Sequence, residues 1–162
     1  IYRAGSNKDQ NVLLALDILT GEVVYQSPPD YDLSDWFIEL IPERNSVISI
    51  YGKISSHGPA DSPFVEINAT TGETIRNQRI ESLYHKNLKI GQWKYFENKI
   101  YFTASKDTIN STHIGVLDYE TLDLLWHTEV IDRKAGLKDL QVSKDKIYVL
   151  DQGNQLHIFE KE

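Results

Sequence analysis

A short pattern recurs along the chain and constrains its fold more than any other feature. An apolar run ends in Asp or Asn, two variable residues follow, then Thr and Gly, and a second apolar or aromatic run begins at once. Asp17, Thr20, Gly21, Glu22 and Tyr25 form the clearest copy. Asn68, Thr71, Gly72 and Glu73 form the second, and Asp118, Thr121 and Trp126 the third. A fourth begins in the run that ends at Glu160. The anchors Asp17, Asn68, Asp118 and Glu160 stand 51, 50 and 42 residues apart. Propeller blades repeat at roughly 40 to 50 residues.

The chemistry of the pattern is that of a hairpin. A carboxylate or amide oxygen at the start of a turn accepts hydrogen bonds from backbone amides two residues on. Glycine then supplies the positive φ that lets the chain return. The third copy has Leu122 in the glycine position, so its turn is expected to be strained or of another type. Two further apolar runs precede each later copy: residues 36–41 and 47–51, then 88–95 and 100–104, then 137–142 and 147–150. They are rich in Ile, Val, Tyr, Phe and Trp and are separated by polar breaks. No stretch keeps a helical period.

These runs predict an all-β, β-propeller-like fold of about four blades, each of four antiparallel strands, a to d, within a single repeat domain over 1–162. The first blade lacks strand a and the last lacks strand d, so the blades hold three, four, four and three strands. Strands from the two chain ends close a propeller and remove its exposed edges. An N-terminal segment carrying a d and an a strand would complete four blades, and more sequence would allow six to eight. The chain has no methionine, so residues are expected to have preceded Ile1.

The Asp-x-x-Thr-Gly-Glu pattern with its following aromatic resembles the pyrroloquinoline-quinone-like, WD-like propeller repeat. Tyr25 stands where that repeat has Trp, and Arg76 departs from it. The resemblance spans nearly the whole chain and implies a fold. It leaves activity open, because the superfamily includes quinoprotein dehydrogenases, assembly scaffolds and sensor domains. Its quinone enzymes commonly carry an adjacent cysteine pair, and this chain has no cysteine. No cofactor is expected.

Composition narrows the partners. The 162 residues carry 17 basic and 24 acidic side chains, a net charge of −7. Nucleic acid or an anionic membrane surface needs clustered Lys and Arg, and the sequence shows no such run. A membrane-spanning helix needs about 20 apolar residues, and the apolar runs here are far shorter. The chain is therefore read as soluble, either cytoplasmic or an exported bacterial protein.

Long loops on a rigid scaffold are where binding residues sit. In each blade the a–b and c–d turns share one face, and the b–c and d–a loops share the other. The long loops, at 27–35, 52–63, 79–87, 105–112 and 129–136, all fall on the second face. Its candidate binding residues are Tyr31, Asp32, His57, Tyr84, His85 and Lys86. Tyr84, His85 and Lys86 join an aromatic, a titratable base and a cation, the composition of a protein-binding hot spot. Asp30, Asp32 and Asp35 lack the glycine and downstream glutamate of a calcium loop. His57, His85, His113, His127 and His157 show no zinc spacing. Ser55, Ser56 and His57 lack a nucleophile elbow. Asn68 and Asn110 lie in glycosylation sequons, but Asn68 is better explained as a turn residue.

The reading that follows is a non-enzymatic protein-binding propeller, an interaction scaffold or regulator favouring a basic partner. A bacterial accessory or immunity-type protein is one concrete form. The alternative is a small-ligand or metal-binding enzyme with its site in the central funnel, near Glu39, Lys94 and Thr103. A third reading makes the chain one piece of a longer propeller with its site elsewhere.

Overall fold

The computed structural model describes residues 2–7, 10–26, 37–50, 61–106, 110–130 and 136–161. They form four antiparallel sheets of strands consecutive in the chain. The first holds β1 (Tyr2–Asn7), β2 (Gln10–Leu16) and β3 (Val23–Gln26). The second holds β4 (Phe37–Ile41), β5 (Ser46–Ile50), β6 (Pro63–Asn68) and β7 (Thr74–Arg79). The third holds β8 (Leu88–Phe96), β9 (Lys99–Lys106), β10 (His113–Asp118) and β11 (Leu124–Glu129). The fourth holds β12 (Leu137–Val142), β13 (Lys146–Asp151) and β14 (Leu156–Glu160). The fold is all-β and propeller-like, with the strand count per sheet that the turn spacing predicts.

The apolar runs explain which strands are central. A strand covered on both faces needs a continuous apolar run, because neither set of alternating side chains meets water. β5 is buried throughout, and β6, β9 and β10 are buried except near their ends. The outer strand β7 is mostly exposed, and β11 is half-buried to exposed with no buried residue.

The chain divides into two compact units, 1–49 with 65–77, and 50–64 with 78–162. In the first, Val47, Val65 and Ile67 form a core with Ile38 and Ala69 against it. In the second, Tyr101, Ile114 and Val116 of the third sheet pack on Leu137, Leu140, Ile147 and Val149 of the fourth. Leu83, Leu88, Ile90, Ile100 and Phe102 are also fully buried there.

The repeated turn is the same in all three copies. Asp17 Oδ1 accepts the amides of Leu19 and Thr20 at 2.8 and 2.9 Å. Asn68 Oδ1 accepts those of Thr70 and Thr71 at 2.9 and 3.0 Å. Asp118 Oδ1 accepts those of Glu120 and Thr121 at 2.8 and 2.9 Å. Asn68 is thus a turn residue, as expected. Each threonine hydroxyl then accepts the amide two residues on, at 3.2 to 3.3 Å. Gly21 and Gly72 have φ of 73° and 76°, and Leu122 adopts the same left-handed region with φ of 60°. The third turn is therefore of the same type, with its strain carried by a leucine whose side chain is buried.

Backbone clips tie this turn to the a–b turn of its own sheet. Ala69, Tyr119 and Lys161 each follow an anchor, and their amides donate to the carbonyls of Asn45, Asn98 and Asp145 at 2.8, 3.2 and 2.9 Å. At the other strand ends, the amides of Ile80 and Val130 donate to the carbonyls of Ser62 and Thr112. The two pairs of connections therefore lie at opposite ends of the blades, as the loop lengths predict.

Tyr25 shows how successive repeats dock within the first unit. A Cβ on Gly72 would lie 2.6 Å from the Tyr25 ring, so the aromatic of one repeat rests on the bare glycine of the next. Gly21 has the same positive φ, but among the described residues nothing lies within 4 Å of such a Cβ. Gly21→Ala should therefore cost about 1 kcal/mol, from backbone strain alone. Gly72→Ala should cost roughly 1 to 3 kcal/mol more, because the ring must move. Urea denaturation of both variants tests this, and equal losses would remove the docking contact.

Candidate functional site

The connection from β7 to β8 holds three of the six expected binding residues. Ile80, fully buried, starts a single helical turn, α1 (Glu81–Tyr84). Leu83 points into the core and is fully buried, and Ser82 Oγ donates to the Leu122 carbonyl at 2.8 Å. The turn ends at Asn87, whose φ of 54° redirects the chain into β8. These anchors leave Tyr84 half-buried and His85 and Lys86 exposed.

A polar network surrounds them. The Arg79 guanidinium lies 4.2 Å from the Tyr84 ring centroid. Its Nε is 3.3 Å from Asp61 Oδ1, and its Nη1 is 4.0 Å from Glu81 Oε1. The His85 ring meets Tyr84 edge-on at 5.8 Å, and its Nε2 is 3.8 Å from Glu81 Oε2. A cation over an aromatic face contributes about 0.5 to 1 kcal/mol at an exposed site. Tyr84 is therefore held from behind by Arg79 while part of it faces solvent.

The structure thus brings Tyr84, His85 and Lys86 together on one corner. Tyr31, Asp32 and His57 lie outside the described residues, as do Asp30, Asp35, Ser55 and Ser56. Arg79 and its partners Asp61 and Glu81 escape a reading of the sequence, because Asp61 comes from a different loop. Thr103, a candidate for a funnel site, is buried, and its Oγ1 accepts the Gln92 amide at 3.0 Å.

The described histidines occupy three different settings. His85 is exposed. His113 and His127 lie on neighbouring strands with ring centroids 6.0 Å apart. His157 lies in the fourth sheet, with 10% of its side chain exposed. Its Nε2 lies 3.1 Å from Asp151 Oδ2, and the Asp151 side chain is fully buried. Asp151 Oδ1 also accepts the Gln155 amide at 2.9 Å. The ionised carboxylate only accepts, so Nε2–H is the donor. Among the described residues, no three His, Asp or Glu side chains converge as metal ligands.

Trp126 is substantially exposed. It borders a groove of about 470 Å³ lined also by Tyr101, Ile147 and Phe159. Lys161 stands over Phe96 and Tyr101 there, 4.3 and 4.7 Å from their ring centroids.

The Asp151 carboxyl titrates below the usual carboxylate range. The Gln155 amide is the main cause and the His157 hydrogen bond the next, and together they outweigh burial. A depressed folded-state value stabilises the fold above the ordinary carboxylate range, and that contribution disappears as pH falls through the folded value. Asp151→Asn should therefore be less stable than the parent at pH 7, with the gap closing below pH ~4. Denaturation midpoints across that range measure the gap, and a pH-independent gap would contradict the assignment.

No family model matches the chain, and no curated protein does. Among solved structures, the computationally designed Ika4 protein is similar over 93% of this chain and 80% of its own, at 15% identity and a TM-score of 0.57. BamB from Moraxella catarrhalis aligns over 92% of this chain and 67% of its own, at 13% identity and a TM-score of 0.36. No helix among the described residues is long and apolar enough to cross a membrane. What the chain shares with the designed protein is the fold.

Proposed function

We propose that the chain is a non-enzymatic protein-binding module, an interaction scaffold or regulator that uses the long-loop end of its blades. The observation that carries this reading is the corner at α1. A half-exposed tyrosine braced by a stacked arginine stands beside an exposed histidine and lysine, on a turn pinned by buried Ile80 and Leu83. Rigid aromatic and cationic side chains on a fixed support are what binding hot spots are made of. Little conformational freedom remains to be lost on association there.

The net charge of −7 favours approach by a partner of opposite sign. Tyr31, Asp32 and His57, which lie outside the described residues, are proposed to take part in the same binding. A bacterial accessory or immunity-type role is one form this takes.

Affinity capture from the source cell's extract tests the reading, with the native chain and a Tyr84→Ala, His85→Ala, Lys86→Ala triple variant as parallel baits. The native bait should hold one stoichiometric protein, and the variant should hold it roughly tenfold less or worse. A partner held equally by both would remove the α1 corner from the interface. The absence of any stoichiometric partner would contradict the binding role.

A further inference from the structure

The fourth sheet leaves open a strand edge that is covered in the other three. In those sheets the strand that runs into the turn anchor has an outer neighbour: β3 lies on β2, β7 on β6 and β11 on β10. Its counterpart β14 runs into Glu160 and is the last strand of its sheet among the described residues. The amide of Lys161 donates to the Asp145 carbonyl, and that of Asp151 to the Gln155 carbonyl. Backbone groups alternate in direction along an antiparallel strand, so the N–H and C=O of Leu156, Ile158 and Glu160 point away from β13. In the third sheet the corresponding amide of Asp118 donates to the Asp123 carbonyl at 2.9 Å.

Side chains along this edge are uncovered as well. Leu156 and Ile158 stand four and two residues before Glu160, as Ile114 and Val116 stand before Asp118. Ile114 and Val116 are buried, whereas Leu156 and Ile158 are 54% and 52% exposed. Natural edge strands are blunted by lysine, proline or a bulge, and β14 contains none of these. The aromatic of the preceding sheet lacks its cover too. Tyr25 and Trp126 each stand eight residues past their anchors. Tyr25 rests on Gly72, the turn glycine of the next sheet. No such turn of the fourth sheet stands beside Trp126 among the described residues, and its side chain borders the groove that Phe159 of β14 also lines.

We propose that the β14 edge binds an extended segment of a protein partner by strand addition, antiparallel to β14, with a glycine where the segment passes Trp126. The chain's own β3, β7 and β11 show the occupant's form, since each is an antiparallel strand seated on the equivalent edge. In strand addition the main-chain hydrogen bonds supply affinity and the alternating side chains supply specificity. Residues opposite Phe159 would enter the groove with Trp126. Residues opposite Ile158 would extend the apolar row that Ile158 forms with Tyr148, its partner on β13. The proposal rests on the protein-binding reading for the existence of a partner but not on the α1 corner, because the anchor turns lie at the other end of the blades.

The probe is a capped peptide with the sequence of residues 19–26, which carries Gly21 and the β3 strand, titrated into the full chain and followed by amide NMR. The amides of Leu156, Ile158 and Glu160 should shift saturably and gain protection from hydrogen exchange, and the Trp126 indole signal should move with them. The Trp93 indole, which donates to the Ile50 carbonyl at 3.1 Å, should stay still and report the fold. A proline whose missing N–H faces outward is tolerated on an edge strand and blocks an incoming one. Ile158→Pro should therefore abolish saturation, and Trp126→Ala should weaken binding roughly tenfold. Saturation retained in Ile158→Pro, shifts confined to the indole, or no saturable shift at all would overturn strand addition. Edge amides already protected without peptide, and losing that protection on dilution, would overturn the proposal and assign the edge to a second copy of the chain. A partner captured equally by native and Ile158→Pro baits would overturn the site while leaving the binding role in place. Saturable peptide binding with no captured partner would do the reverse.

Discussion

One side-chain oxygen accepting two backbone amides is the interaction on which each repeat depends. Asp17, Asn68 and Asp118 make it with nearly the same distances, although one of the three is a neutral amide. Charge is therefore not what the turn requires. It requires an oxygen at the right reach from the backbone, which Asp and Asn both provide. Ionisation adds a consequence of its own, since the amides hold Asp17 and Asp118 below the usual carboxylate range. The turn places the next residue so that its amide clips the a–b turn, and this aligns the two hairpins of a sheet. Alignment of the hairpins in turn gathers the long connections at the opposite ends of the strands.

Much of the fold was legible because its determinants are local. The strands follow from apolar runs, and the turns from Asp or Asn, Thr and Gly at fixed offsets. Leu122 shows where local reasoning stops. Its side chain is buried, and that long-range packing holds a left-handed backbone that leucine alone would avoid. The sequence shows the missing glycine but not the packing that replaces it. Tyr25 is similar: its position in the pattern is visible, but that it rests on Gly72 depends on how the repeats stack.

The candidate site was legible only in part, for the same reason. Tyr84, His85 and Lys86 are adjacent in the chain and stand out together. Arg79 and Asp61 do not, because the ion pair that joins them links two separate segments of the chain. The tertiary fold brings these groups together, and it is not written in any one segment. Net charge describes long-range steering, whereas a binding contact depends on the few groups within a Debye length of about 8 Å.

The central claim is that the repeated turn, including its left-handed residue, is required in every copy, with or without glycine. Comparing Leu122→Gly with Leu122→Ala by equilibrium denaturation tests this most directly. Both variants lose the buried side chain, and they differ in backbone freedom. At an ordinary position glycine is the less stable of the two by roughly 0.5 to 1 kcal/mol. A left-handed turn reverses that order, because alanine retains a strain of about 1 kcal/mol that glycine lacks. The account predicts that Leu122→Gly is at least as stable as Leu122→Ala. A glycine variant clearly less stable than the alanine variant would mean that residue 122 does not adopt the left-handed conformation and that the third turn is built differently.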